Sequence, residues 1–434
     1  MMKAKVITLG CKVNQYESEA MLSSLLQHGF AAAEDKETAD VVILNSCTVT
    51  AESDRKVRQI FRRAKKDNPD AVMVLTGCMA QAFPEDARRL EEADIILGTS
   101  NRKRLVPDLL AFLSARQRII DIAPHTNDEK FENLNVENFT GRTRAFVKIE
   151  DGCNRFCSYC IIPYARGRVR SKPLEDLKAE LAGLGANGYK EVVLTGINLS
   201  AYGQEFGLHL CDAIEAACAT PGIERVRLGS LEPEQLSEDV IRRMAKQKKL
   251  CPQFHLSLQS GCDATLKRMN RRYNAAEYQA CCEILREEFD NPAITTDVIV
   301  GFPGETEEEF AETERFLKAI HFYEMHIFKY SRRAGTRAAD MPDQVPEGTK
   351  SVRSDILLAL EKQQSLEYRG RFLGTEEEIL LEEPIEIDGT KYMMGHTRQY
   401  VKGAVPYEEG LKNKTVKGIF TKALNEEVLL LEKE

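Results

Sequence analysis

No apolar run in this chain approaches the roughly 18 residues that a membrane-spanning helix requires. The opening segment, Met1 to Gly10, is too short and too polar ahead of its apolar stretch to act as a secretory signal, and it is expected to be a first strand in a cytoplasmic protein. In that compartment the 12 cysteines should be reduced thiols rather than a disulfide framework. The seven histidines form neither an H-x3-H nor an H-E-x2-H pattern, so no zinc hydrolase is suggested. The glycine-rich stretch Val300–Thr306 lacks the Lys-Ser/Thr pair of a phosphate-binding loop. There is no low-complexity tract and no fixed repeat of a solenoid. Positive charge is not in excess either. The net charge is −8, so any nucleic acid must be met by local basic patches rather than by bulk attraction.

With 43% hydrophobic and 29% charged residues over 434 positions, the chain is a globular protein of about three domains. Residues 1–122 alternate short apolar runs (Lys5–Leu9, Val41–Leu44, Val72–Leu75, Ile95–Leu97) with helical patterns at Glu17–His28 and Asp54–Lys66. That alternation predicts an open parallel sheet with helices on its faces. Residues 123–142 are polar and aperiodic, which predicts a linker. A second β/α series runs over 143–371, with strands expected at Ala145–Ile149, Glu191–Thr195, Val226–Gly229, Gln253–Leu258, Ala293–Val300 and Met325–Phe328. Helices at Leu174–Leu184 and Glu307–Ala319 lie between them, and six such units make a partial (β/α)6 barrel. Residues 372–434 hold only short β-prone runs between Gly, Pro and Asn, as in a small all-β barrel. The fold class is α/β with this C-terminal all-β module.

Two cysteine patterns carry chemistry. Gly10-Cys11, Asn45-Ser46-Cys47 and Gly77-Cys78 each follow one of the first three apolar runs. In an open α/β sheet, ligands collect outside the carboxyl ends of strands, so three cysteines at three such ends can converge on one metal site. Three buried structural thiols are the plainer alternative. The second pattern is Cys153-x3-Cys157-x2-Cys160, in the loop after the first barrel strand. Three soft thiolates suit an iron–sulfur cube with one iron left open. Zinc is the alternative, but it normally takes four ligands, and no histidine or further cysteine lies nearby in sequence.

The C-x3-C-x2-C triplet, together with Gly10-Cys11-Lys12-Val13-Asn14, Cys47 and Cys78, resembles the radical S-adenosylmethionine (SAM) methylthiotransferases over essentially the whole chain. The resemblance implies a methylthiotransferase domain over 1–122, a radical SAM domain over 143–371 and a TRAM-like domain over 372–434. It implies two 4Fe-4S clusters. Cys11, Cys47 and Cys78 would hold an auxiliary cluster carrying the sulfur to be inserted, and Cys153, Cys157 and Cys160 would hold the cluster that cleaves SAM to a 5′-deoxyadenosyl radical. Leu9–Glu17 and His255–Cys262 look most like the branch that acts on carbon 2 of N6-threonylcarbamoyladenosine at position 37 of tRNA. Other branches act on isopentenyladenosine in tRNA or on a ribosomal protein side chain. Expected partners are the anticodon loop of tRNA and an electron donor such as a flavodoxin or ferredoxin. A non-catalytic iron–sulfur RNA-binding protein is the rival of another class.

Within the barrel, SAM contacts are expected from Tyr159, Thr195, Gly196, Gln259, Ser260, Asp297, Val300, Gly301 and Tyr330, all beside the triplet or at strand ends, with Tyr330 offering its backbone. Between Arg55 and Lys66 there are seven basic residues and no acidic one, with Arg58 and Arg62 on a face opposite Val57, Ile60, Phe61 and Ala64. That stripe is either an RNA-binding face or an ordinary solvated one. Arg166 and Arg168 beside the triplet, and Lys267, Arg268, Arg271 and Arg272, are further candidates. From Arg371 to Glu434 there are nine Lys/Arg against thirteen Asp/Glu, so the C-terminal module can bind RNA only by one face, expected around Arg398, Tyr400 and Lys402.

Overall fold

The computed structural model describes residues 1–34, 37–134, 136, 139 and 143–433, so positions 135, 137, 138 and 140–142 of the expected linker lie outside the described residues. The first sheet has six parallel strands, ordered Ala31–Ala32, Lys3–Thr8, Val41–Ser46, Val72–Gly77, Ile95–Leu97 and Ile119–Asp121. Its two central strands are buried at every position. Their alternate side chains separate into two cores. Val42, Leu44, Met73 and Leu75 pack on Val57, Phe61 and Ala64 of the helix Ala51–Asp67. Val41, Ile43, Val72 and Val74 pack on Met21 and Leu25 of the helix Lys12–Gln27 and on Leu105, Leu109 and Phe112 of the helix Leu105–Ala115. This is why those runs read as continuous apolar stretches. Sequence periodicity missed the two edge strands, which are two and three residues long and only partly buried.

The central region is a curved parallel wall. Arg225–Leu228, Glu191–Thr195 and Arg144–Lys148 form one stretch of it. Ser230–Leu231, Gln253–Leu256, Ala293–Val300 and Glu324–Lys329 form the other. The expected third strand is therefore broken at Gly229, whose N–H still bonds Leu194 O at 2.8 Å while the chain passes to its new neighbour. A short antiparallel pair, Glu150–Asp151 with Arg170–Ser171, brackets the cysteine triplet. The helices Leu174–Ala186, Leu210–Ala219, Glu238–Ala245, Ala275–Glu288 and Glu307–Ile320 cover the outside, and Glu347–Gly370 leads to the last module.

That module is a closed five-stranded barrel, ordered Glu376–Ile387, Thr390–His396, Lys402–Pro406, Val428–Lys433 and Thr415–Ala423. It is seated on the amino ends of the central strands. Arg225 donates to His396 O at 2.9 Å and Glu378 O at 3.0 Å, and Arg227 donates to Arg398 O at 2.9 Å. Tyr400 stacks on His396 with centroids 4.3 Å apart, under the guanidiniums of Arg144 and Arg227 at 5.0 and 4.8 Å. Arg398 itself donates to Leu250 O at 2.8 Å, and Lys402 is ion-paired with Glu427. This corrects the expected RNA face. Arg398 and Tyr400 are used to seat the module on the central wall, whereas the Lys402–Glu427 pair is partly exposed and leaves Lys402 a candidate.

Candidate active site between two cysteine sets

The first three cysteines meet because their three loops are stitched together. Cys11 is the residue ahead of the helix Lys12–Gln27, Cys47 follows its strand directly, and Cys78 opens the helix Cys78–Ala82. Asn14 Nδ2 donates to Leu9 O and Ser46 O at 3.0 Å, and Asn45 Nδ2 donates to Asn14 O at 2.9 Å. Ser46 Oγ donates to Thr76 O at 2.6 Å and accepts from Met79 N at 3.2 Å. The approach is close enough to exclude side chains. A Cβ on Gly10 (φ +119°) would lie 3.0 Å from Cys47 Cβ, and one on Gly77 (φ +98°) would lie 2.5 Å from Ser46 O. Cys11 is exposed, Cys47 half-buried and Cys78 buried. Burial pushes the Cys78 thiol up to about 12, the Arg166 guanidinium opposes this, and Cys47 and Cys11 add to it.

The second set occupies the loop after Asp151. Cys153 N bonds Gly167 O at 3.0 Å, Cys160 N bonds Cys157 O at 2.9 Å, and Ser158 Oγ donates to Arg268 O at 2.8 Å. Burial pushes the Cys153 thiol up to about 12, against a bond from the Arg155 N–H. Among the described residues, no group of three or more Cys, His, Asp or Glu is arranged around a single metal ion. Three thiolates in each set are a donor set that suits a four-iron cube with one iron left open. All twelve cysteines are free thiols.

A buried ionic core joins the two sets. Glu17 is fully buried and meets Arg102 at 2.9 Å, Lys148 at 3.0 Å and the Arg166 guanidinium. Asp151 meets Lys148 at 3.1 Å and Arg166 at 3.5 Å. Arg166 is 0% exposed, and its Nε donates to Cys78 Sγ at 3.2 Å. Its assignment as an RNA contact is therefore corrected: a fully buried guanidinium cannot reach a phosphate. Arg271, another basic residue once grouped by sequence alone, donates from Nη1 to Cys157 Sγ at 3.3 Å.

A cavity of about 200 Å³ is lined by residues from the loops that carry Cys47 and the second cysteine set. Tyr159, Gln259, Asp297 and Tyr330 line it from the central wall, and Val49 and Thr50, just after Cys47, line it from the first domain. Gln259 has φ +72°, a left-handed conformation that a non-glycine residue holds at a cost of about 1–3 kcal/mol. The Tyr330 hydroxyl is buried with no hydrogen-bond partner among the described residues. The backbone of Tyr330, expected to serve a ligand, is already used: its N–H bonds Val300 O at 2.9 Å, and its carbonyl accepts from Lys350 Nζ at 3.1 Å. The remaining candidates do not line this cavity. Ser260 pairs with Thr313 Oγ1 at 3.1 Å, Val300 is core, and Gly301 packs under Lys350, where a Cβ would lie 2.3 Å from Cγ. Thr195 and Gly196 sit by Glu150, whose Oε2 would meet a Gly196 Cβ at 2.6 Å. Sequence reasoning missed two neighbours. His255 and His326 flank Asp297 at 3.3 and 3.4 Å, and their alternation along facing strands was the available signal.

A model of the radical SAM superfamily matches residues 147–317, and one described as uncharacterized protein family UPF0004 matches 3–98. The threonylcarbamoyladenosine tRNA methylthiotransferase MtaB of Bacillus subtilis is 39% identical over 419 residues, covering 96% of this chain and 93% of the relative. The chain belongs to the radical SAM methylthiotransferase family. A tRNA-2-methylthio-N(6)-dimethylallyladenosine synthase of Acetivibrio thermocellus is 36% identical, covering 90% of this chain and 82% of that one. The radical SAM methyltransferase TsrM of Kitasatospora setae shares the fold, with a TM-score of 0.57 at 14% identity over 78% of this chain and 74% of that one. As a radical SAM family member, this methylthiotransferase uses SAM and a 4Fe-4S cluster. Among the described residues no helix is long and apolar enough to cross a membrane.

The basic helix of this methylthiotransferase remains a candidate RNA face. Arg55, Arg62 and Arg63 pair with Glu52, Glu92 and Asp67, all at largely exposed positions where such pairs contribute little. Lys56, Arg58 and Lys66 have no carboxylate within ion-pair distance among the described residues. Arg168 is exposed and lies over the Phe156 ring at 4.6 Å.

Proposed function

We propose that this enzyme inserts sulfur and a methyl group at carbon 2 of N6-threonylcarbamoyladenosine at position 37 of tRNA, using two SAM and two 4Fe-4S clusters. One observation carries the reading: a single cavity is walled by the residues that follow Cys47 and by Tyr159, which sits between Cys157 and Cys160. Cys11, Cys47 and Cys78 would hold the auxiliary cluster, and Cys153, Cys157 and Cys160 the SAM-cleaving one. When bound, these groups supply the electron, the cleavage of SAM and the sulfur that is transferred. The division into domains at 1–122, 143–371 and 372–434 is part of the same proposal.

The chain's own work is placement and exclusion. The loop after Cys47 is clamped to the end of the last central strand, with Ala51 N on Ser331 Oγ at 3.0 Å, Arg333 on Thr48 Oγ1 at 2.7 Å and Arg333 on Asp54 at 2.8 Å. This clamp holds Val49 and Thr50 on the cavity wall. Tyr159, Gln259, Asp297 and Tyr330 would hold part of SAM there, since about 200 Å³ is below the ~300–1,000 Å³ of most small-molecule sites. The unpaired cations of the helix Ala51–Asp67 would take tRNA phosphates, bringing a single-stranded anticodon-loop base to the rim. An electron donor such as a flavodoxin or ferredoxin is required by the chemistry.

The test is nucleoside mass analysis of tRNA from cells lacking this protein. Loss of the 2-methylthio derivative of N6-threonylcarbamoyladenosine, with accumulation of its precursor, is expected. Loss of the methylthio group from isopentenyladenosine instead would assign the other tRNA branch, and unchanged tRNA would remove tRNA as the substrate.

A further inference from the structure

Arg166 is the residue whose position the proposed chemistry does not by itself explain. It ends the helix Ile162–Arg166, six positions after Cys160, and so belongs to the loop of the second cysteine set. Its side chain nevertheless reaches the first set, keeping one longer contact, to Asp151 at 3.5 Å, with its own loop. Nε donates to Cys78 Sγ at 3.2 Å, and Nη2 donates to Asn14 Oδ1 at 2.7 Å and Glu17 Oε2 at 3.0 Å. Asn14 also ties the loops of Cys11 and Cys47 together. With 0% exposure, water cannot replace any of these bonds. The second set shows the same device. Arg271 donates to Cys157 Sγ at 3.3 Å, and its other nitrogens are fixed by Glu232, Ser257 O and Tyr273 Oη. Each set of three cysteines thus has one planar, fully charged donor aimed at one sulfur, with its remaining N–H groups held elsewhere.

We propose that Arg166 is a positioning residue, contributed by the radical SAM half of the chain, that completes the auxiliary site by donating a charge-assisted hydrogen bond to the Cys78 sulfur. The inference rests on the two-cluster reading. A hydrogen bond to a cluster thiolate withdraws charge from it, so the reduced cluster is favoured and its potential rises. Asn14 and Glu17 orient the fork, which makes the bond depend on how the two halves are docked. The auxiliary potential is then set by a residue covalently close to the other cluster, and Arg271 does the corresponding work for the SAM-cleaving cluster.

The experiment uses full-length, anaerobically reconstituted protein in which Cys153, Cys157 and Cys160 are Ala, so that only the auxiliary cluster remains. Potentiometric titration followed by electron paramagnetic resonance, and the rate of iron loss to a chelator, are compared for Arg166, Arg166→Lys and Arg166→Met. The expected result is a lower potential and several-fold faster iron loss for Arg166→Met, with Arg166→Lys between the two. In the complementary Cys11/Cys47/Cys78→Ala background, Arg166→Met should leave the remaining potential unmoved, while Arg271→Met should lower it. If Arg166→Met does not fold, Arg166→Lys decides, because it keeps the buried charge and loses only the fork. Bound iron with an unmoved potential and unchanged chelation in the variant overturns the assignment of Arg166 alone. No iron in the parent background overturns the two-cluster reading, and this assignment with it.

Discussion

Glu17 shows how much one buried residue holds in place. Burial opposes its ionisation, yet Arg102, Arg166 and Lys148 outweigh that and lower its carboxyl to about 2 from an ordinary 4.5. A carboxyl depressed in the folded state adds stability above its unfolded value, and that stability is lost as the pH falls through the folded one. The contribution should be complete above about pH 4.5 and should disappear towards pH 2. Glu17→Gln keeps the shape and removes the charge, leaving Lys148 and Arg166 with Asp151, and Arg102 with Glu132, as their remaining carboxylates. Breaking a buried pair in this way costs about 3–5 kcal/mol. Thermal unfolding of wild type and variant from pH 7 to pH 3 checks both points: the gap should be wide at pH 7 and narrow as the pH falls. A constant gap would show that the charge of Glu17 does not govern stability. In sequence, Glu17 is six positions beyond Cys11, but nothing marked it as the centre of a network whose other members are 85 to 149 positions away. Long-range ion pairs leave no periodic trace, so this part of the site was not legible. The cysteines were, because their meaning lies in local spacing and in the strand that precedes each one.

At the scale of elements, the basic helix and the turn at Gly152 make separate predictions. On the helix Ala51–Asp67, replacing Arg58, Arg62 and Lys66 with Glu changes exposed or half-exposed positions and leaves Val57, Phe61 and Ala64 packed. Melting temperature should move little, while tRNA affinity falls and its salt dependence weakens. Filter binding at two salt concentrations reads this, and unaltered affinity would return the stripe to a solvated face. Gly152 has φ +87°, and a Cβ there would lie 2.0 Å from Arg168 O. Gly152→Ala should therefore reduce iron retained by Cys153, Cys157 and Cys160 while leaving the first set loaded, as iron analysis on each triple-Ala background would show. The strands and helices that bring these elements together were readable from their apolar runs. The break at Gly229 and the short edge strands were not, since a strand that changes partner midway keeps the same alternation. Two RNA candidates, Arg166 and Arg398, are turned inward for a related reason. A run of charges shows that a surface can be basic, but whether Arg398 faces solvent or a neighbouring carbonyl depends on where a later module docks.

For the whole molecule, the decisive matter is that Val49 and Thr50, which follow Cys47, and Tyr159, which sits between Cys157 and Cys160, line one cavity, so on the two-cluster proposal the roles of the two sets should separate by mutation. Cys47 lies on the first-domain side of the seam, two residues before the cavity-lining Val49. Cys47→Ala removes one thiol of the first set and leaves Cys153, Cys157 and Cys160 with their backbone bonds intact. The variant should keep about half the iron of wild type and still cleave SAM to 5′-deoxyadenosine after reduction, since that step needs only the second cluster. It should form no methylthio nucleoside. Cys157→Ala should show the opposite pattern, with SAM cleavage abolished and iron kept by the first set. Iron analysis, 5′-deoxyadenosine yield and tRNA nucleoside analysis on the same preparations distinguish the two. Normal methylthiolation by the Cys47 variant would make the first three cysteines structural thiols and leave a single-cluster enzyme. Loss of SAM cleavage in both variants would mean that the seam, rather than either set, is what each substitution damages.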